Sequence, residues 1–197
     1  MQIAVMVIVA GEGESKRFGG CRLLNELDSD HSLLSHAVEQ ALGCKSTSVF
    51  VVIGRWHNEI KQAQQNGRLA EVPLIYNPEW SLGLGSSIAH GVRTLAADYD
   101  AICIMLADQI TLRNEDFNQL ISSSPPGHIV CSYYKRKRGV PALFPSCCFN
   151  QLIQLKGESG ARDQLRGDSF PVSEISLPYA EHDIDTKKEL FELRRLK

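Results

Sequence analysis

"IAVMVIVAGEGESKRFGG", residues 3–20, joins eight apolar residues to a loop with almost nothing to bury. The first half reads as a strand apolar on both faces, as in the middle of a covered parallel sheet. The second half holds Gly11, Gly13, Glu14, Ser15, Lys16 and Arg17, residues that expose backbone N–H groups beside positive charge. In open α/β sheets ligands gather beyond the carboxyl ends of the strands, so this loop is the first place for one. Two familiar phosphate loops do not fit. No Gly-Lys-Ser/Thr follows, which excludes a Walker loop, and the sixth position is Lys16 rather than the glycine of a dinucleotide fingerprint. What remains is a cradle for a triphosphate, made of N–H groups with Ser15, Lys16, Arg17 and Arg22, or else a flexible surface turn.

The pattern repeats along the chain. Apolar, β-branched runs at 3–10, 48–54, 72–77, 101–107 and 128–134 predict strands. Leu33, Leu34, Ala37, Val38, Ala41 and Leu42 fall at helical spacing, as do Ile88, Val92, Leu95 and Ala96, and a third helix is predicted near 113–123. Strand–helix alternation predicts a single three-layer, Rossmann-like α/β domain over 1–197, with a mainly parallel central sheet. The last third is less regular, with "VPALFP", a helix near 147–156, the segment "GESGARDQLRGD" and a closing helix that Thr186 and Glu189 would cap.

The totals narrow the function. The chain has 197 residues, 43% hydrophobic and 22% charged, with a formal net charge of −2. That balance gives a nucleic-acid partner no electrostatic support, and "KRKR" at 135–138 reads as a solvated hairpin or turn. The opening apolar run is too short to cross a bilayer and has no basic flank, so neither a membrane span nor a signal peptide is expected. Six cysteines without CxxC spacing are expected to be reduced thiols in a cytoplasmic protein. The histidines, among them His57, His90 and His182, form no metal-ligand spacing.

Acidic residues close two later segments. Asp108 ends the strand in "AICIMLADQI", where it would hold Mg²⁺ on a nucleotide or simply start a turn. In "DIDT", alternation puts Asp183 and Asp185 on one face. "NPEWSLGLGSSIAHG" precedes a helix. Gly83 and Gly85 allow close backbone approach there, and Ser86 and Ser87 sit where helix N–H groups are exposed, either to read a base or ribose or as an ordinary capped junction.

Taken in order, these segments resemble the molybdenum cofactor cytidylyltransferases, nucleotidyltransferases with a glycosyltransferase-A-type (nucleotide-diphospho-sugar transferase) domain. The family opening, Leu-Ala-Ala-Gly-x-Ser-x-Arg-Met/Phe-Gly-x-x-Lys, is matched at Gly13, Ser15, Arg17, Phe18 and Gly19. "NPEWSLGLGSS", "LADQ", "RGVPALF", "GESGAR" and "DIDTKKEL" resemble five further family motifs, together spanning residues 8–190. The departures are Arg22 at the lysine position, Glu12 in place of an alanine, and Ile110 and Lys187 in place of prolines.

The resemblance implies transfer of CMP from CTP to molybdopterin with release of pyrophosphate, and Mg²⁺ as cofactor. It implies catalytic roles for Arg17, Arg22 and Asp108, and metal binding by Asp108, Asp183 and Asp185. Nucleotide contacts would come from Gly11, Gly13, Glu14, Ser15, Arg17 and Arg22, with Gly83, Gly85, Ser86 and Ser87. The acceptor would lie near Gly139, Pro141, Gly157 and Arg162. Two other readings stay open: nucleotidyl transfer to another phosphorylated small molecule, and a non-catalytic module holding the cofactor for a client molybdenum oxidoreductase. Guanylyl transfer fits less well, since that branch usually lacks such an "NPxWxxG" segment.

Overall fold

A computed structural model of the chain describes residues 1–9, 20–28, 31–45, 47–158 and 160–181. These residues build seven strands in one sheet: β1 (Ile3–Ile8), β2 (Thr47–Ile53), β3 (Leu74–Tyr76), β4 (Ala101–Leu106), β5 (Ile129–Tyr134), β6 (Lys137–Pro145) and β7 (Val172–Ser176). Their order across the sheet is β3-β2-β1-β4-β6-β5-β7. Every pairing is parallel except the two made by β6, which runs antiparallel to both β4 and β5.

β1 is buried at all six positions because it lies between two parallel neighbours and under helices on both faces. Its alternate residues serve different cores. Val5 and Val7 pack with α1 (Leu33–Leu42), α2 (His57–Gln65) and α4 (Asn114–Ser122), while Ala4, Met6 and Ile8 pack with α3 (Leu84–Leu95) and α5 (Phe149–Leu152). The architecture is thus three layers, helix–sheet–helix. α1 begins where expected, because Ser32 and Ser35 cap each other: the Ser35 N–H donates to Ser32 Oγ at 3.1 Å, and the Ser32 N–H to Ser35 Oγ at 2.8 Å.

The predicted strands and the helices at 33–42 and 113–123 agree with the structure to within a few residues. Three elements were not expected. α2 escapes the helical pattern because only Ile60 and Ala63 on it are buried. β6 contains Pro141, which usually argues against an interior strand. Here Cys131 pairs with Ala142 and Ser132 with Gly139, so Val140 and Pro141 face no partner on β5 and the missing N–H breaks no ladder bond. β7 buries only Ile175, too little to show an alternating pattern.

The helix predicted near 147–156 is shorter than expected, a 3-10 turn at Ser146–Cys148 followed by α5. "GESGARDQLRGD" contributes α6 (Arg162–Arg166). The closing helix predicted at Thr186 lies outside the described residues. "KRKR" lies at the β5–β6 hairpin: Lys135 and Arg136 form its turn, at φ 48° and 57°, and Lys137 and Arg138 open β6. All six cysteines are free thiols. No helix among the described residues is long and apolar enough to cross a membrane.

Candidate active site

Hydrogen bonds carry the sheet register just past the ends of its parallel strands. The Val9 N–H donates to Val52 O (3.0 Å), Ala107 N–H to Ile8 O (3.0 Å) and Asn77 N–H to Ile53 O (2.9 Å). The chain therefore leaves β1, β3 and β4 along one edge of the sheet, at Val9, Asn77 and Asp108. Gly11, Gly13, Glu14, Ser15, Lys16 and Arg17 lie outside the described residues, as do His182, Asp183 and Asp185.

The chain returns through a 3-10 turn at Arg22–Leu24, anchored by Leu23 in the core. That anchor turns the Arg22 guanidinium inward, where Nη2 donates to Asp108 Oδ2 at 2.7 Å. Both side chains are about nine-tenths buried, at 10% and 11% exposure. Two residues singled out 86 positions apart thus form one ion pair. A carboxylate has the hard oxygen donors that Mg²⁺ prefers, and Mg²⁺ usually takes one or two carboxylates plus substrate phosphates. Asp108 fits that chemistry as a single donor. The described residues contain no cluster of three or more His, Cys, Asp or Glu able to hold a metal by themselves.

Beside Asp108, and not anticipated, Gln109 is 2% exposed and fully engaged. Its Oε1 accepts from the Leu106 N–H (3.2 Å), and its Nε2 donates to Val140 O (2.8 Å) and Ala180 O (2.9 Å).

The "NPEWSLGLGSS" segment is held from inside by Asn77, which is fully buried. Asn77 Oδ1 accepts from the Glu79 N–H at 3.0 Å, and Nδ2 donates to Ser86 Oγ and Ser87 Oγ, each at 3.1 Å. The Ser86 hydroxyl also faces Glu79 O (2.8 Å) and Gly83 O (2.9 Å), so it is committed to the loop itself. The close backbone approach expected at the two glycines is made to another part of the chain. Gly83 has φ +99°, and a Cβ on it would lie 2.6 Å from the Gly157 backbone. A Cβ on Gly85 would lie 2.8 Å from the Lys156 backbone, and the Gly85 N–H donates to Gly157 O at 2.7 Å. The glycines let two distant motifs, 83–85 and 156–157, touch backbone to backbone.

A cavity of about 190 Å³ adjoins this junction, lined in part by Gly139, Val140, Gly160 and Arg162. Its apolar wall includes Leu84, Ile88 and Ile104. Gly139 leaves space for a ring: a Cβ there would stand 2.3 Å from the Tyr134 hydroxyl, which donates to Val140 O at 3.2 Å. Pro141 does not line the cavity; its carbonyl accepts from the buried Ser132 hydroxyl at 2.7 Å. Lys137, Arg162 and Arg166 bring positive charge to the cavity, against Glu158. Arg138 is already committed, donating to Glu174 Oε1 (2.6 Å) and Leu165 O (2.9 Å). An apolar wall beside exposed cations suits a phosphate-bearing molecule with a less polar body. A larger open groove of about 610 Å³, near His36, Thr111 and Tyr179, includes none of the predicted site residues.

The remaining candidates are quieter. His57 faces Gly54 O at 3.1 Å and its ring lies against Tyr76, and His90 is half-buried on α3. Trp80 is half-buried at the start of a 3-10 turn whose other two residues, Ser81 and Leu82, are exposed.

Comparison with known proteins gives the family and the fold. Residues 6–173 match the family model of the MobA-like NTP transferase domain. The chain is 30% identical over 195 residues to the purine catabolism protein PucB of Bacillus subtilis (strain 168), covering 93% of this chain and 92% of that protein. Among solved structures, the Rv0371c homologue from Mycobacterium sp. strain JC1 superposes with a TM-score of 0.83 at 22% identity, over 100% of both chains. Rv0371c of Mycobacterium tuberculosis, in its complex with manganese, gives 0.77 at 19% identity over 99% of both chains. Sheet order, motif order and family match agree: the chain belongs to the MobA-like NTP transferase family and is a nucleotidyltransferase.

Proposed function

We propose that the protein transfers CMP from CTP to molybdopterin, in a Mg²⁺-dependent reaction that releases pyrophosphate. The observation carrying this reading is the meeting of Arg22 and Asp108 at the carboxyl edge of the sheet, beside a cation-rimmed cavity lined by the acceptor motifs. An oxygen of the acceptor's phosphate attacks the α-phosphorus of CTP. A new P–O bond forms, the α–β bridge breaks, and its electron pair leaves with pyrophosphate. Such a reaction needs positioning and charge neutralisation more than covalent help from protein.

In this reading Arg17 and Arg22, with backbone N–H groups from Gly11 to Ser15 (Glu14 included), offset the charge on the leaving pyrophosphate. Asp108, joined by Asp183 and Asp185, would hold the Mg²⁺. When bound, that ion would supply charge neutralisation to the phosphates. Gly83, Gly85, Ser86 and Ser87 border the base and ribose, Ser86 through the loop shape it fixes and Ser87 through its hydroxyl. Arg162, with the space beside Gly139, receives the acceptor, while Pro141 and Gly157 shape that space from behind. The product would pass to a client molybdenum oxidoreductase in the cytoplasm. The manganese complex of the Rv0371c structure supports a divalent ion in this fold.

Incubation with radiolabelled CTP, Mg²⁺ and molybdopterin tests the proposal, with the dinucleotide and pyrophosphate as readouts. Thermal shifts with CTP, GTP, ATP and UTP test the base. A nucleotide at 100 times its Kd stabilises by about 2.7 kcal/mol, or about 5–10 °C for a chain of this size. Turnover of GTP in preference to CTP would overturn the cytidylyl reading. Tight CTP binding without turnover would favour the non-catalytic module.

A further inference from the structure

Gln109 is the buried polar side chain at which three motifs meet. Leu106, whose N–H it accepts, ends β4 just before Asp108. Val140, whose carbonyl it holds, stands between Gly139 and Pro141 on the cavity side of β6. Ala180, its third partner, belongs to the segment after which Asp183 and Asp185 follow in sequence. The Val140 carbonyl also accepts from the Tyr134 hydroxyl, so two hydrogen bonds fix its direction where Gln109, Tyr134 and Val140 together line the cavity. The 178–181 turn has further ties of its own: Thr111 Oγ1 donates to Tyr179 O at 2.6 Å, and the Tyr179 hydroxyl donates to Asp116 Oδ1. The turn thus stays attached without Gln109, whose one amide nitrogen bridges Val140 O and Ala180 O.

We infer that Gln109 is a positioning residue that couples the metal-holding end of β4 to the acceptor cavity. Its amide fixes the Asp108 turn, the β6 segment and the C-terminal turn relative to one another. Although it lines the cavity, its amide is committed to Leu106, Val140 and Ala180, so it acts through Asp108 and Val140. The inference rests on the function proposed above, and its chemistry is that of a second layer around a metal-binding carboxylate, where loss of one partner typically weakens metal affinity 10–100-fold.

The test compares wild type with Gln109→Leu, Gln109→Glu and Thr111→Val. Gln109→Glu keeps the shape and the bond from the Leu106 N–H but turns a carboxylate oxygen toward two carbonyls. Thr111→Val removes a different tie on the same C-terminal turn. Two readouts are made: Mn²⁺ affinity by electron paramagnetic resonance with saturating α,β-methylene-CTP, and the KM values for CTP and molybdopterin. Both Gln109 variants are expected to lose about tenfold or more in Mn²⁺ affinity and to show a comparable rise in acceptor KM. Their CTP KM is expected to change by less than about threefold. Thr111→Val is expected to lower the melting temperature while leaving Mn²⁺ affinity and acceptor KM unchanged. Gln109 variants that melt lower yet keep wild-type Mn²⁺ affinity and acceptor KM would overturn the inference and leave Gln109 a plain core residue. A wild type that binds Mn²⁺ with the analogue yet transfers nothing to molybdopterin would refute the proposed acceptor instead, and Gln109 would then be judged on Mn²⁺ affinity alone.

Discussion

Replacing Arg22 with Met removes the charge and keeps most of the side-chain volume. The guanidinium Nη2 lies 2.7 Å from Asp108 Oδ2, and the two side chains are 10% and 11% exposed. With charge centres about 4 Å apart and an effective dielectric near 20, the attraction is about 4 kcal/mol. Desolvation offsets much of it, so the pair adds little net stability. Breaking it is another matter, because Asp108 would keep its burial and lose this cation, at a cost of about 3–5 kcal/mol. For a chain of this length, the lower figure corresponds to a fall of about 6–12 °C in Tm.

The assay is a double-mutant cycle by urea unfolding, using Arg22→Met, Asp108→Asn and the double variant. The double variant is expected to be at least about 1 kcal/mol more stable than the sum of the single losses implies, since it leaves no stranded charge. Additivity within about 0.5 kcal/mol would refute the reasoning and mean that the contact carries no coupling.

Further expectations follow from other contacts. Asp108→Asn should reduce divalent-dependent nucleotidyl transfer by at least about a hundredfold while far-UV circular dichroism stays native; full activity would remove Asp108 from the site. Gly85→Ala places a Cβ 2.8 Å from the Lys156 backbone, and should raise the KM for both substrates together, since it separates segments 83–85 and 156–157. A thiol reagent at pH 8 should label Cys147 first, because it is exposed, whereas burial pushes Cys44 and Cys148 up to about 12 and Cys131 to about 11. Rapid loss of the buried thiols without denaturant would contradict the packing. The hydrogen bond to Asp116 pushes the Tyr179 phenol up to about 12 from its ordinary 10. Its contribution to stability is therefore present in full below pH 10 and lost as pH rises through 12. Alkaline difference absorbance of wild type against Tyr179→Phe reads that titration.

The parallel half of the fold was legible because β1, β2 and β4 are apolar on both faces and their intervening helices are amphipathic. β6 and β7 were not, and the reasons differ. Pro141 disguises β6, since nothing local announces that β5 skips two residues opposite it. β7 is an edge strand with one buried side chain, so burial left too small an imprint. In the candidate site, Asp108 and Arg22 were found by motif, but their contact was not, because it joins segments 86 residues apart. Gly83 and Gly85 announce a close backbone approach, but not that Lys156 and Gly157, more than 70 residues away, make it. Gln109 was legible only as part of the "LADQ" motif, with no sign of what its amide holds. A buried amide becomes visible only once its three partners have been brought together.

The contact between Gly85 and Gly157 also sets a rule for building chimeras from this family. The β4–β6 seam looks like a natural cut, with Asn77 and Asp108 on one side and the cavity-lining residues Gly139, Val140 and Arg162 on the other. Yet residues 83–85 and 156–157 meet across that division with no room for a Cβ. A graft of residues 128–181 from a relative with another acceptor should function only when residues 83–85 of that relative come with it.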